Sequence, residues 1–178
     1  RIAAAKKPKV VLECVNPACR SQFPAVRINS CYNCGNDLRN IIIGRVDFLD
    51  SIIDEDKSMW RYRRLMPVKP EYIVSDREGN TPIIYMERLS KMLGVHIWVK
   101  LEITNPTGTF KDREGSYVIS VSRQYKQDNV VMQSTGNTAI SITHYAGLAG
   151  ISSWAFIPER STYKLFMPKK KPANRIIA

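Results

Sequence analysis

The sequence predicts an α/β protein built on a parallel sheet, preceded by a small cysteine-bearing segment. Three observations predict it. From Gly79 onward, short β-favouring runs alternate with helical stretches of roughly a dozen residues, the pattern of βαβ units. All four cysteines fall ahead of that pattern, between Cys14 and Cys34. The 178 residues are 44% hydrophobic and 24% charged, the balance of a globular protein with room for one sizeable core and a small appendage.

Residues 1–40 form the cysteine segment. Cys14 and Cys19 lie in "ECVNPACRSQF", and Cys31 and Cys34 in "SCYNCGNDL". Two cysteine pairs separated by a short polar loop supply the thiolates of a tetrahedral zinc site, where the metal replaces a core too small to stand alone. The second pair has the two-residue spacing of a knuckle, and Gly35 is able to take positive φ as the chain turns away. The first pair is looser, with Pro17 among its four intervening residues. Disulfides and free thiols are the competing readings. Zinc leads because the opening "RIAAAKKPKVV" lacks the long apolar core and cleavage site of a secretory signal, which points to the reducing cytoplasm. Together with the terminal "ANRIIA", which stops without a turn signal, that opening reads as one end of a piece of something longer.

Residues 41–78 read as a connector, with acidic "DSIIDEDKS" followed by basic, aromatic "MWRYRRLMP". One Trp and one Tyr among arginines make a thin stacking platform, so a solvated connector is favoured over a nucleic-acid stripe. The runs "AKKPK" and "MPKKKP" likewise read as solvated tails or linkers. The net charge of +11 favours anionic partners without choosing among phosphorylated small molecules, nucleic acid and membrane surfaces. No apolar run approaches the roughly 18 residues of a membrane span.

Residues 79–178 carry the regular pattern. "TPIIY" reads as a short strand and "ERLSKML" as a helix, with Glu87 and Lys91 paired on one face and Gly94 as a left-handed cap. The alternation in "VHIWVKLEI" suits a pleated strand. A helix around "GSYVISVSRQYK", the strand "VVMQ", a helix in "NTAISITHYAGLAG" ended by Gly150, and the strand "SSWAFIP" follow. In parallel sheets ligands bind beyond the carboxyl ends of the strands. Two loops hold that position in the expected sheet, "NPTGTFKDR" and "STGNT".

In the first loop, Thr109 and Asp112 suggest a capping box, which starts the helix at Thr109 and puts Lys111 in its opening turn. The positive end of the helix dipole disfavours an ammonium there, and Arg113 adds to that effect if the two side chains approach. Both push toward the neutral amine that attacks carbonyls. An exposed lysine that merely begins a helix is the plain alternative. The second loop offers free backbone N–H groups that suit a carboxylate or phosphate, or else an ordinary helix cap.

At these residues the chain resembles a known family. "EGNTPII", "VKLEITNPTGTFKDR", "STGNTAISITHYAGLAGI" and "FIP", in this order, look like the threonine synthase group of the fold type II pyridoxal phosphate enzymes, over about Trp60 to Pro158. The cysteine segment also resembles one that some family members carry. The resemblance implies that Lys111 holds pyridoxal 5'-phosphate covalently and later shuttles protons, and that Asn137 contacts the cofactor's ring hydroxyl oxygen. It implies that Ser134, Thr135 and Thr138 receive the substrate carboxylate. The family reaction converts O-phosphohomoserine to threonine and phosphate, so the partner is a phosphorylated amino acid, and relatives are often homodimers. Glu114 stands where many relatives have Gly, and "STGNT" replaces the commoner "SSGNT". The glycine-rich loop that grips the cofactor phosphate and the group that meets the pyridine nitrogen have no counterpart here, so the resemblance is to an incomplete domain. Alternatives are a cysteate synthase or threonine dehydratase relative, a non-catalytic truncated paralogue, and a basic zinc module that binds nucleic acid.

Overall fold

The computed structural model describes residues 9–25, 28, 30–43, 47–164 and 174–177. The runs "MPKKKP" and, apart from Lys9, "AKKPK" lie outside them. The chain forms two compact units: residues 1–54 with 61–67, and residues 55–60 with 68–178. Among the described residues no helix is long and apolar enough to cross a membrane.

The first unit is organised by an antiparallel sheet of order β2-β1-β3, made of β1 (Lys9–Cys14), β2 (Gln22–Pro24) and β3 (Leu38–Ile43). Val11 faces Pro24 on one side and Ile41 on the other, so the central strand is paired on both edges. Cys14 ends β1, and Cys31 and Cys34 lie in the turn that precedes β3. Within this unit Phe48 stacks on Tyr62, with ring centroids 5.9 Å apart.

In the second unit the expected helices form. The helix α1 (Glu87–Leu93) closes on Gly94 at φ 67°, and its Lys91–Glu87 pair is 2.7 Å long. The helices α2 (Lys111–Gln124) and α3 (Asn137–Ala149) pack on each other, and Gly150 caps α3 at φ 70°. The parallel sheet runs in the order β6-β7-β8: β6 (Asn129–Gln133), β7 (Ser152–Phe156) and β8 (Asn174–Ile177), the last unforeseen in the sequence.

The run "VHIWVKLEI" departs from expectation. Only Trp98–Lys100 (β5) is a strand, and it pairs antiparallel with β4 (Ile83–Tyr85) in a sheet of two strands. A 3-10 turn, Glu102–Thr104, follows at once. The two candidate loops therefore do not leave strands of one sheet; the packing of α2 on α3 joins them instead.

That packing depends on small side chains. The core contains Val74, Ile119, Ile142, Tyr145, Ala146 and Ile151, and a second cluster joins Ala139, Ala155 and Ile157. Between them α2 presents buried Ser116, Ser120 and Ser122. Ser116 Oγ donates to the Val74 carbonyl at 2.7 Å and accepts the Trp60 indole N–H at 2.8 Å. Ser120 Oγ donates to the Ser116 carbonyl at 2.7 Å and accepts the Val74 N–H at 2.9 Å. Buried hydroxyls with partners carry little net cost. Trp60 is thereby a core residue, where the sequence suggested a solvated connector, and its ring is not free to stack on a base.

Candidate functional site

Lys111 is the first residue of α2, two positions later than the expected helix start. The Thr109–Asp112 capping box does not form. Thr109 Oγ1 accepts the Lys111 N–H at 3.3 Å, while the fully buried Asp112 carboxylate accepts the Thr107 N–H at 2.6 Å and the Thr107 hydroxyl at 2.5 Å. Asp112 therefore folds the Thr107–Phe110 turn back over the helix start. Gly108, at φ 79°, supplies the left-handed residue the turn needs.

Arg113 does not approach Lys111, because residues two apart on a helix point to different sides. Its guanidinium forks onto Glu102, with Nε to Oε2 at 3.0 Å and Nη2 to Oε1 at 2.9 Å. Arg113 first, then bonds from Thr81 and Asn105, holds the Glu102 carboxyl down at about 2. Asn105 extends this brace, its Nδ2 donating to Glu102 Oε2 at 2.9 Å and its Oδ1 accepting the Gly79 N–H at 2.9 Å. The lysine loop is thus pinned by a half-buried polar network that the motif alone did not announce. Its sequence signal was Glu102 and Arg113, the opposite charges near the two ends of "LEITNPTGTFKDR".

The Lys111 amine itself faces an anion. Nζ lies 2.5 Å from Glu114 Oε2, one turn along the helix, and 5.3 Å from the Phe110 ring centre. The expected approach of Arg113, which argued for a neutral amine, is replaced by an ion pair. The Lys111 side chain is about one-third exposed, at 31%.

At the second loop, Ser134 Oγ accepts the N–H groups of Gly136 and Ala139, both at 3.1 Å, and so caps the start of α3. Its proton has no acceptor among the described residues. Thr135 and Asn137 are exposed and Thr138 is half-buried. No hydrogen bond joins these side chains to the Lys111 amine among the described residues. The backbones are joined: Ser141 Oγ donates to the Lys111 carbonyl at 2.8 Å, tying the first turn of α2 to α3. A Cβ on Gly115 would overlap Ser141 Oγ and lie 2.9 Å from Tyr145 Cδ2, so only glycine permits this close contact. Sequence reasoning missed Gly115 and Ser141, the two residues that set the spacing of the loops.

Behind the pair, the fully buried Glu78 accepts the Tyr145 hydroxyl at 2.9 Å and the Asp76 N–H at 2.9 Å. Burial, then the Glu78 charge, pushes the Tyr145 phenol upward. Tyr145 consequently serves as a neutral donor that secures α3.

In the other unit, the sulfurs of Cys14, Cys19, Cys31 and Cys34 all lie within 4.8 Å of one another. Cys14 and Cys34 are 3.4 Å apart, and Cys19 and Cys31 are 3.7 Å apart. Those separations exceed a disulfide bond of about 2.05 Å, and all four thiols are free. A tetrahedral zinc with bonds of about 2.3 Å requires sulfur separations of about 3.8 Å. Burial pushes the Cys14 thiol up to about 12, whereas the Asn36 N–H pulls Cys34 down to about 6 and Ser21 lowers Cys19. Gly35 takes the expected positive φ, 74°.

A family model described as "Pyridoxal-phosphate dependent enzyme" matches residues 74–176. The threonine synthase of Halalkalibacterium halodurans is 38% identical over 108 residues, covering 57% of this chain and 30% of that protein. The threonine synthase of Methanocaldococcus jannaschii is 33% identical over 148 residues, 79% of this chain and 36% of that protein. The chain therefore spans about a third of the length of these curated relatives. Maize serine racemase superposes with a TM-score of 0.42 at 28% identity, over 48% of this chain and 27% of that one.

Proposed function

The chain belongs to the pyridoxal-phosphate dependent enzyme family, and on that premise we propose that it is the amino-terminal part of a threonine synthase-type lyase. The full enzyme would convert O-phosphohomoserine to threonine and phosphate, acting in the cytoplasm as a homodimer. Lys111 is the residue proposed to bear the cofactor, Asn137 to meet its ring hydroxyl, and Ser134, Thr135 and Thr138 to receive the substrate carboxylate.

One observation carries this reading: Ser141 fastens the lysine turn to α3, so the only lysine in "NPTGTFKDR" and the polar loop that opens α3 belong to one packed pair of helices. The residues suit the group. A partly exposed lysine stands at one helix start, and at the other the Thr135 hydroxyl and Asn137 amide are exposed while Ser134 and Thr138 are half-buried. When bound, pyridoxal phosphate supplies the electron sink for carbanion chemistry, and the protein contributes binding and orientation. The chain's own part is to brace the turn that carries Lys111 through Asp112 and Thr107, and to present the Ser134 hydroxyl at the start of α3.

The cysteine segment, residues 1–40, is proposed as a zinc-ribbon-like structural module. Its four sulfurs have the donor type and spacing for zinc, which would replace the core that this small sheet lacks.

The test is to incubate the chain with pyridoxal phosphate, reduce with borohydride, and map the modified peptide beside a Lys111→Ala control. Selective modification of Lys111 is expected. Diffuse labelling across many lysines, unchanged in the control, would reject the assignment.

A further inference from the structure

We infer that Glu114 is the counter-ion of the Lys111 amine, a positioning residue that holds Nζ in place until a carbonyl ligand displaces it. The inference rests on Lys111 as the cofactor-bearing residue and adds a partner that the motif does not contain. Glu114 sits three residues along α2, so its side chain rises on the same face as Lys111. Its Oε2 lies 2.5 Å from Nζ, a charge-assisted contact. Phe110 places its ring 5.3 Å from the same nitrogen, so an anion and a π face both hold the cation.

Among the described residues no other anion of this loop competes for the amine. Asp112 is spent on Thr107, and Glu102 on Arg113, Thr81 and Asn105. Among the described residues Glu114 has no second cation in its contacts, and its side chain is 43% exposed, leaving it free to swing away. Lys111 and Glu114 therefore form a self-contained pair at the mouth of the lysine turn.

The Glu114 carboxylate occupies an approach to Nζ, so a carbonyl reagent must displace it before a bond to the nitrogen can form. Acylation removes the charge altogether and reads this restraint directly, with no cofactor present. The experiment treats the intact chain with an amine-acylating ester at one fixed pH, and compares modification of Lys111 with that of Lys126 by mass spectrometry. In Glu114→Gln, the Lys111 to Lys126 ratio should rise about two- to fivefold, the range that a partly exposed ion pair sustains. Should that variant fail to fold, Glu114→Ala keeps the helix, and wild type in low against high salt gives the same comparison without a substitution. A ratio unchanged by substitution and by salt overturns the assignment. Pyridoxal phosphate labelling of Lys111 is scored separately in wild type, so a failure of the counter-ion and a failure of the cofactor reading give different results.

Discussion

Substituting Gly115 with alanine tests the contact that sets the distance between the two loops. The added Cβ would overlap Ser141 Oγ and lie 2.9 Å from Tyr145 Cδ2 and 3.1 Å from the Ser141 carbonyl carbon. Ser141 can rotate its hydroxyl, but doing so gives up its bond to the Lys111 carbonyl, worth about 0.5–1.5 kcal/mol. Tyr145 cannot yield as easily, because it is fully buried and bonded to Glu78. Overpacking a close helix contact costs about 1–3 kcal/mol, against which the better helix propensity of alanine returns about 1 kcal/mol. The expected net loss is about 1–3 kcal/mol, measured by urea denaturation followed by circular dichroism. Adding Ser141→Ala removes the nearest clashing atom, so the double variant should lose less than the sum of the two single variants. An alanine variant as stable as wild type, or additive effects in the cycle, would refute the claim that glycine sets this spacing.

Three further outcomes follow from the same contacts. Glu102→Gln should cost about 1–2 kcal/mol at neutral pH, a discounted share of the shift from 4.5 to about 2, since the pair is partly exposed. Because the folded carboxyl is depressed, that stability is present above about pH 4.5 and is lost as pH falls toward 2; urea midpoints of wild type and variant should therefore converge in acid. Asp112→Asn should weaken the Thr107 turn by about 1–3 kcal/mol and reduce pyridoxal phosphate labelling of Lys111, and equal labelling would count against its bracing role. The purified chain should carry one zinc by elemental analysis, chelation should expose four titratable thiols, and Cys31→Ser should abolish the metal; a metal-free chain with the fold of its cysteine segment intact would contradict the zinc assignment.

Much of the architecture was legible because its signals are local. The left-handed caps at Gly94 and Gly150 end the helices as the sequence indicated, and the cysteine spacing led to a real cluster of sulfurs. The partner of a strand is not a local property. The alternation in "VHIWVKLEI" marks an extended segment but does not reveal that Trp98 will lie opposite Tyr85 in an antiparallel pair. The strand also ends early, because Glu102 turns toward Arg113 and Thr81. The lysine loop was legible as a place but not as an environment. Side-chain charge in "KDRE" was visible, yet helix geometry gives Lys111 to Glu114, Arg113 to Glu102 and Asp112 to Thr107.

The serine-lined face of α2 also bears on how the second unit responds to temperature. Exposing apolar surface raises heat capacity on unfolding, whereas exposing polar surface lowers it. Here several fully buried positions, Ser116, Ser120, Ser141 and Ser153 among them, release hydroxyls to water where a leucine-rich interface would release hydrocarbon. The unit should therefore show a smaller heat-capacity increment per residue than an oil-packed domain of its size, and a correspondingly flatter stability curve. Its helix pairing would weaken less on cooling, a trait set by buried oxygen atoms and measurable by scanning calorimetry.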